Sequence, residues 1–232
     1  VAIVDVCTGM LACNSILAAL NARNSSGRGQ KVEVSLYESS LAMLVNMASN
    51  YLTAGQLSER FGNNHPTIVP YSTFQTTDNM LALAVGNDPQ FAKCAAVLGH
   101  PDWATDARFA RNRDRVAHRE ALIALMAQEF KRDSADVWIA KLQAVGVPSG
   151  RVNSVKQALE DPHTAARRMV ETIEHPTIGP LKMLGTPFKF SATPTSIRRA
   201  PPTLGQHTDE ILRDVLGMDA AQIAGLRRDK VV

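Results

Sequence analysis

Cysteine is scarce in this 232-residue sequence: Cys7, Cys13 and Cys94 are odd in number and form no C-x-x-C pair. That argues against a disulfide framework and a zinc site, and for a reducing compartment. No apolar run stands out as long enough to cross a bilayer, and no charged segment leads into a short apolar one as in a secretory signal. The cytoplasm is therefore the expected compartment, with the mitochondrial matrix as the alternative. The histidines form neither H-x-x-x-H nor H-E-x-x-H, so no metal is expected. "SSGRGQ" is not a phosphate-cradling Walker loop, and Ser35, Ser39 and Ser40 lack the G-x-S-x-G elbow of a serine hydrolase. Internal repeats and low-complexity tracts are missing too.

What is present is ordinary globular material: 45% hydrophobic and 20% charged residues, with a formal charge of +3. So mild a charge favours anionic ligands without the dense basic character of a nucleic-acid binder, and no nucleic-acid partner is expected. The opening "VAIVD" reads as a strand, Thr8 to Arg23 as a helix, and "KVEVSLYE" (31–38) as a second strand, with "NSSGRGQ" as punctuation between them. Strand, helix, strand is a βαβ crossover and implies a parallel sheet. "SSLAMLVNMASNYLTAG" (39–55) reads as one helix closed by Gly55. A linker is expected at 56–66 and a small α+β domain at 67–147. The latter opens on a hairpin turning at "TDN" and includes a helix with Asp88 as cap and Pro89 at its first position. Residues 148–232 carry short strands, proline-rich connections and two closing helices.

Asp5 is the most informative residue. A carboxylate where a parallel strand hands over to a helix lies at the edge where open α/β sheets place their ligands, beside the positive end of a helix dipole. A plain capping aspartate has the same local signature. The arginine run "DARFARNRDRVAHR" (106–119) reads as a solvated helix face, because acids are interleaved and aromatics for base stacking are nearly absent. His65 in "NNHP" sits with Asn64 at a domain junction, where ligand clefts commonly form; a simple linker turn fits equally well.

Several stretches together resemble one family. "DVCTGM", "ILAALNAR", "SGRGQKVEVSLYESSLAML", "NNHPTIVPYSTFQTTD", "GVPSGRVNSVKQALEDPH" and "PPTLGQHTDEIL" are similar, in that order, to the family III CoA-transferases of the CaiB/BaiF type. "NYLTAG", "HPTIVPY", "VGNDPQF" and "EHPTIG" look closest to the succinyl-CoA:glutarate or hydroxymethylglutarate branch. The resemblance implies an α/β fold with a Rossmann-like large domain built on a parallel sheet from both ends of the chain. A small α+β domain is inserted in it, and two copies form an interlocked homodimer. It further implies that the N-terminal part of the large domain, with most contacts to coenzyme A, lies outside this sequence, so that the chain alone is inactive.

The activity implied is transfer of CoA from an acyl-CoA such as succinyl-CoA to a carboxylic or dicarboxylic acid. Coenzyme A enters as the acyl-CoA co-substrate, with no metal and no membrane partner. Asp5 takes the place of the nucleophile that forms an aspartyl anhydride and then an aspartyl-CoA thioester. The amides of Val6 to Gly9 are the expected oxyanion donors. Asp88 in "NDPQF" matches a functional glutamate of the racemase branch, and Asn64 and His65 are candidate substrate contacts. The glycine-rich loop that covers the site in the formyl-CoA branch has no counterpart near "GNNHPTIVPY". Two alternatives remain: α-methylacyl-CoA racemase chemistry, in which the aspartate moves a proton, and a non-catalytic complementing or assembly fragment. "DVCTGM" lacks the glycine cluster of the racemase form.

Overall fold

The computed structural model describes residues 1–232, and in it helix α1 (Ile3–Ser26) begins where a strand was expected. Val1, Ile3 and Val4 favour strands, but no ladder partner lies alongside them, and the carbonyls of Ile3 and Val4 find partners in a helix instead. Asp5 thus falls in the first turn of α1 rather than at the end of a strand. Gly27, at φ 70°, closes the helix by donating its N–H to the Arg23 carbonyl at 2.8 Å. By length and composition α1 is apolar enough to cross a bilayer, with a mean hydropathy of 1.8 over 18 residues, which corrects the reading that no such run exists. Thr, Ser, Asn and Gly interrupt the apolar residues and hide the low charge density of the run. A core helix of a soluble protein meets the same criterion.

Residues 28–35 run without a ladder partner into α2 (Leu36–Ala42), whose N-cap is Ser35. The expected βαβ unit is therefore not formed. The helix expected over 39–55 is two helices, α2 and α3 (Asn46–Ala54), broken at Val45, which stands at φ 45°. Nothing in the local sequence explains that break. Gly55 ends α3 as expected, in the left-handed conformation.

The hairpin forms as the turn signal indicates: β1 (Tyr71–Gln75) pairs antiparallel with β2 (Met80–Ala84), Phe74 opposite Leu81. Around it pack α4 (Asp88–Val97), α5 (Asn112–Ala117), α6 (Arg119–Phe130) and α7 (Ala135–Ala144). Strand β3 (Ser149–Arg151) then returns to pair antiparallel with β2. Phe74, Leu81, Phe91, Leu122, Phe130 and Trp138 belong to one buried cluster running from Val69 to Val147. Burying each such large side chain contributes roughly 1.5–3 kcal/mol. Phe130 lies 4.7 Å from Phe74 and meets Trp138 edge-on at 5.5 Å, and the Trp138 indole N–H donates to the Phe130 carbonyl at 3.0 Å.

Beyond β3 come α8 (Val155–Glu160), α9 (Pro162–Ala166), the hairpin of β4 (Val170–His175) with β5 (Gly179–Leu184), α10 (Thr208–Asp214) and α11 (Ala220–Arg228). Outside residues 69–147, Ile223 is the one buried apolar side chain. Both sheets are antiparallel, so the parallel sheet of a Rossmann-like domain is not formed within this chain. The architecture is mixed α/β, with one well-packed centre and exposed helices before and after it.

Candidate functional site

Asp5 is the third residue of α1, at the positive end of the longest helix in the chain. Its side chain is exposed, makes no hydrogen bond or ion pair, and lines none of the principal cavities. The oxyanion donors expected from Val6 to Gly9 are not free. Val6 N–H donates to the Ala2 carbonyl at 3.1 Å, and the amides after it lie within the helix. The amides of Val4 and Asp5 itself are the ones left without a backbone acceptor.

The segment His65–Val69 has no regular secondary structure, yet side chains from the surrounding helices hold its backbone. The guanidinium of Arg119 donates to the His65 carbonyl at 2.8 Å and to the Pro66 carbonyl at 2.6 Å. Asn112 donates to the Thr67 carbonyl at 2.8 Å and accepts from the Val69 N–H at 3.1 Å. Arg115 donates through Nε to the Val69 carbonyl at 2.6 Å. Inside the segment, His65 Nδ1 accepts the Thr67 N–H at 3.2 Å, and the imidazole stacks 5.4 Å from Tyr71.

Asp88 belongs to the same network. One of its carboxylate oxygens accepts from the Arg115 guanidinium at 2.8 Å and from the Asn112 N–H at 2.9 Å. The helix cap assigned to it belongs instead to Asn87, whose side chain accepts the Gln90 N–H at 2.9 Å. Asp88 is shifted one position into the helix, where its carboxylate can turn toward Arg115. Arg115 is fully buried, with its guanidinium 4.3 Å from the centre of the Phe91 ring and a further bond to the Phe109 carbonyl at 2.8 Å. This overturns the solvated-face reading of the arginine run at its centre. Partial burial also holds the Arg119 guanidinium below its ordinary value, and it remains charged throughout the physiological range.

The structure therefore ties Asp88 through Arg115 and Asn112 to Thr67 and Val69, in the segment that His65 opens, with Asn64 at the edge of the group and Asp5 on a separate helix. Asn64 donates to the Phe61 carbonyl at 3.1 Å, while its Oδ1 is buried without a partner. Beside it opens a cleft of about 690 Å³ lined by Arg60, Phe61, Asn64, His118, Arg119 and Glu120 among others. Sequence reasoning missed Asn112, Arg115 and Arg119. The available signal was spacing: Arg115 and Arg119 stand four apart and Asn112 precedes Arg115 by three, so a helical reading places them on neighbouring turns.

A mixed α/β chain with an uncommitted aspartate at the head of a long helix, and with six motif stretches in order, defines a class before any particular relative. The chain belongs to CoA-transferase family III, whose model matches residues 1–208. It is 40% identical over its whole length to an acyl-CoA transferase of Fusarium pseudograminearum, and 33% identical over its whole length to the succinyl-CoA:glutarate CoA-transferase of Homo sapiens. It covers 51% of the first and 53% of the second, so it spans about half the length of these curated relatives. A crystal structure of a CaiB/BaiF family protein from Brucella suis superposes with a TM-score of 0.75 at 36% identity, over 92% of this chain and 55% of that one.

Proposed function

We propose that the chain is the nucleophile-bearing part of a CoA-transferase that moves CoA from succinyl-CoA, or a similar thioester, to a dicarboxylic acid. The observation that carries this reading is Asp5: an ionisable carboxylate with no internal partner, at a helix N-terminus, in a chain of this family. The human relative, a succinyl-CoA:glutarate CoA-transferase, supports the choice of donor and acceptor.

In the proposed reaction a carboxylate oxygen of Asp5 attacks the thioester carbonyl, the C–S bond breaks, and CoA leaves as thiolate. The thiolate attacks the Asp5 carbonyl of the resulting anhydride, expels the donor acid, and leaves an aspartyl-CoA thioester. The acceptor carboxylate displaces CoA to form a second anhydride. Attack of the thiolate on the acceptor acyl carbon then releases the new CoA ester and restores Asp5. The free amides of Val4 and Asp5 and the dipole of α1 favour the oxyanion that forms beside the carboxylate. In the complete fold, the unpaired segment 28–35 joins the parallel sheet of a Rossmann-like domain, and two copies interlock.

The test uses the intact protein with succinyl-CoA and glutarate. Asp5→Ala is expected to lower the turnover number by roughly 10³-fold or more. Hydroxylamine added with acyl-CoA is expected to mark Asp5, detected by peptide mass spectrometry. Near-normal transfer by Asp5→Ala removes Asp5 from the mechanism, and solvent exchange of the α-hydrogen without a hydroxylamine-sensitive adduct assigns proton-transfer chemistry instead.

A further inference from the structure

We propose that Gly9 sets the room for the acyl group beside Asp5 and so decides which thioesters are accepted, an inference that rests on the CoA-transfer reading above. Glycine inside a helix weakens it relative to alanine, because the unsubstituted backbone has more freedom to lose. Two glycines stand inside helices here, Gly9 in α1 and Gly225 in α11. A Cβ added at Gly225 would meet the Arg228 guanidinium at 3.7 Å, whereas one added at Gly9 would meet nothing within 4 Å. Gly9 also keeps an ordinary helical backbone, so neither a left-handed turn nor a close neighbour within the chain calls for a missing side chain there.

What distinguishes the position is Asp5, four residues earlier on the same helix. Residues four apart stand one above the other, with Cβ atoms about 5–6 Å apart, and each side chain leans toward the N-terminus over the turn before it. A side chain at position 9 would therefore lie across the flank of the Asp5 carboxylate. Thr8, the other neighbour on that flank, turns its hydroxyl back onto the Val4 carbonyl at 2.7 Å and is committed to the helix. Attack on a thioester brings its carbonyl carbon to about 3–3.5 Å from the carboxylate oxygen, and the acyl chain is bonded directly to that carbon. The chain has to lodge against the helix surface next to Asp5, and the bare backbone at Gly9 keeps that surface clear.

The experiment compares Gly9→Ala and Gly9→Leu with the parent in the intact protein, using succinyl-CoA with glutarate and, in the reverse direction, glutaryl-CoA with succinate. Expected for kcat/KM of succinyl-CoA is a fall of about tenfold in Gly9→Ala and about a hundredfold in Gly9→Leu. Glutaryl-CoA, one methylene longer, should lose about threefold or more beyond that in each variant. The unfolding midpoint of Gly9→Ala should hold or rise, since alanine is the better helix former. Unchanged kcat/KM in Gly9→Leu overturns the proposal, as do equal falls for the two thioesters. So does a lowered midpoint in Gly9→Ala, because close packing of α1 would then account for the glycine. If Gly9→Leu does not fold, the same readings in Gly9→Ala decide. Asp5→Ala, run alongside, keeps the two ideas apart: an inactive Asp5→Ala with parental Gly9 variants defeats only the role of Gly9, whereas an active Asp5→Ala defeats the transfer reading itself.

Discussion

Arg115 makes its argument alone: a cation with no exposure at all, bonded to three backbone carbonyls and paired with a carboxylate that is 48% exposed. Truncating Arg115 leaves buried carbonyls without their donor and opens a cavity in the packing, together a loss of about 3–5 kcal/mol. Arg115→Ala is accordingly expected to lose about that much in urea unfolding. Asp88→Asn should lose less, since Asp88 is half in solvent and the amide still offers an oxygen to Asn112. Equal losses from the two substitutions would show that burial of Arg115 matters less than its charge partner. Cys94 gives a second check at this scale, because burial pushes its thiol up to about 12. Iodoacetamide at neutral pH is expected to alkylate Cys13 and Cys7 in the folded chain and Cys94 only after denaturant is added. The exposure of Asp5 and the enclosure of Arg115 were both invisible in the sequence, where each was one charged residue among charged neighbours. Burial is decided by which elements pack over a side chain.

Among the elements, those with a local cause were legible. The β1–β2 hairpin followed from its turn, α4 from its proline start, though its cap is Asn87 rather than the expected Asp88, and α3 from its closing glycine. The strand expected before α1 failed because strands need partners and helices do not, so propensity without a ladder lost to internal hydrogen bonding. A further local device precedes α5: Arg108 bonds the Asp106 carboxylate through its side chain and its backbone N–H, which holds Asp106 down to about 2. The folded value lies below the ordinary aspartate value of about 3.9, so this contribution is fully present above pH 4 and fades as the pH falls toward 2. Asp106→Asn is therefore expected to lower stability at pH 7 and to lose its effect on the acid limb, where the parent has given up the same contribution. The check is a pH titration of the unfolding midpoint: the gap between variant and parent should narrow between pH 4 and pH 2, and a constant gap would refute the pairing.

At the level of the whole molecule, the apolar residues divide into those that have found each other and those that have not. Leu41, Leu44, Met47, Tyr51, Leu52 and Leu57 line an open apolar cleft of about 540 Å³, and α1 buries none of its residues. Contiguous apolar surface on that scale drives association, so the chain by itself is expected to bind a hydrophobic dye and to self-associate in light scattering. A monodisperse, dye-silent monomer would contradict this. The motifs placed the chain in its family, whereas the large-domain sheet could not be read from one stretch alone, since a parallel ladder is a property of several segments at once. The untied stretch between α1 and α2 carries one more consequence. Arg28 and Lys31 stand there on exposed backbone outside any helix or sheet, whereas Arg115 is sealed behind Phe91 and Phe109. Trypsin should therefore nick the molecule first at that joint and last at Arg115, so the order of the fragments would record, on a gel, which parts of the chain are already held and which still wait for company.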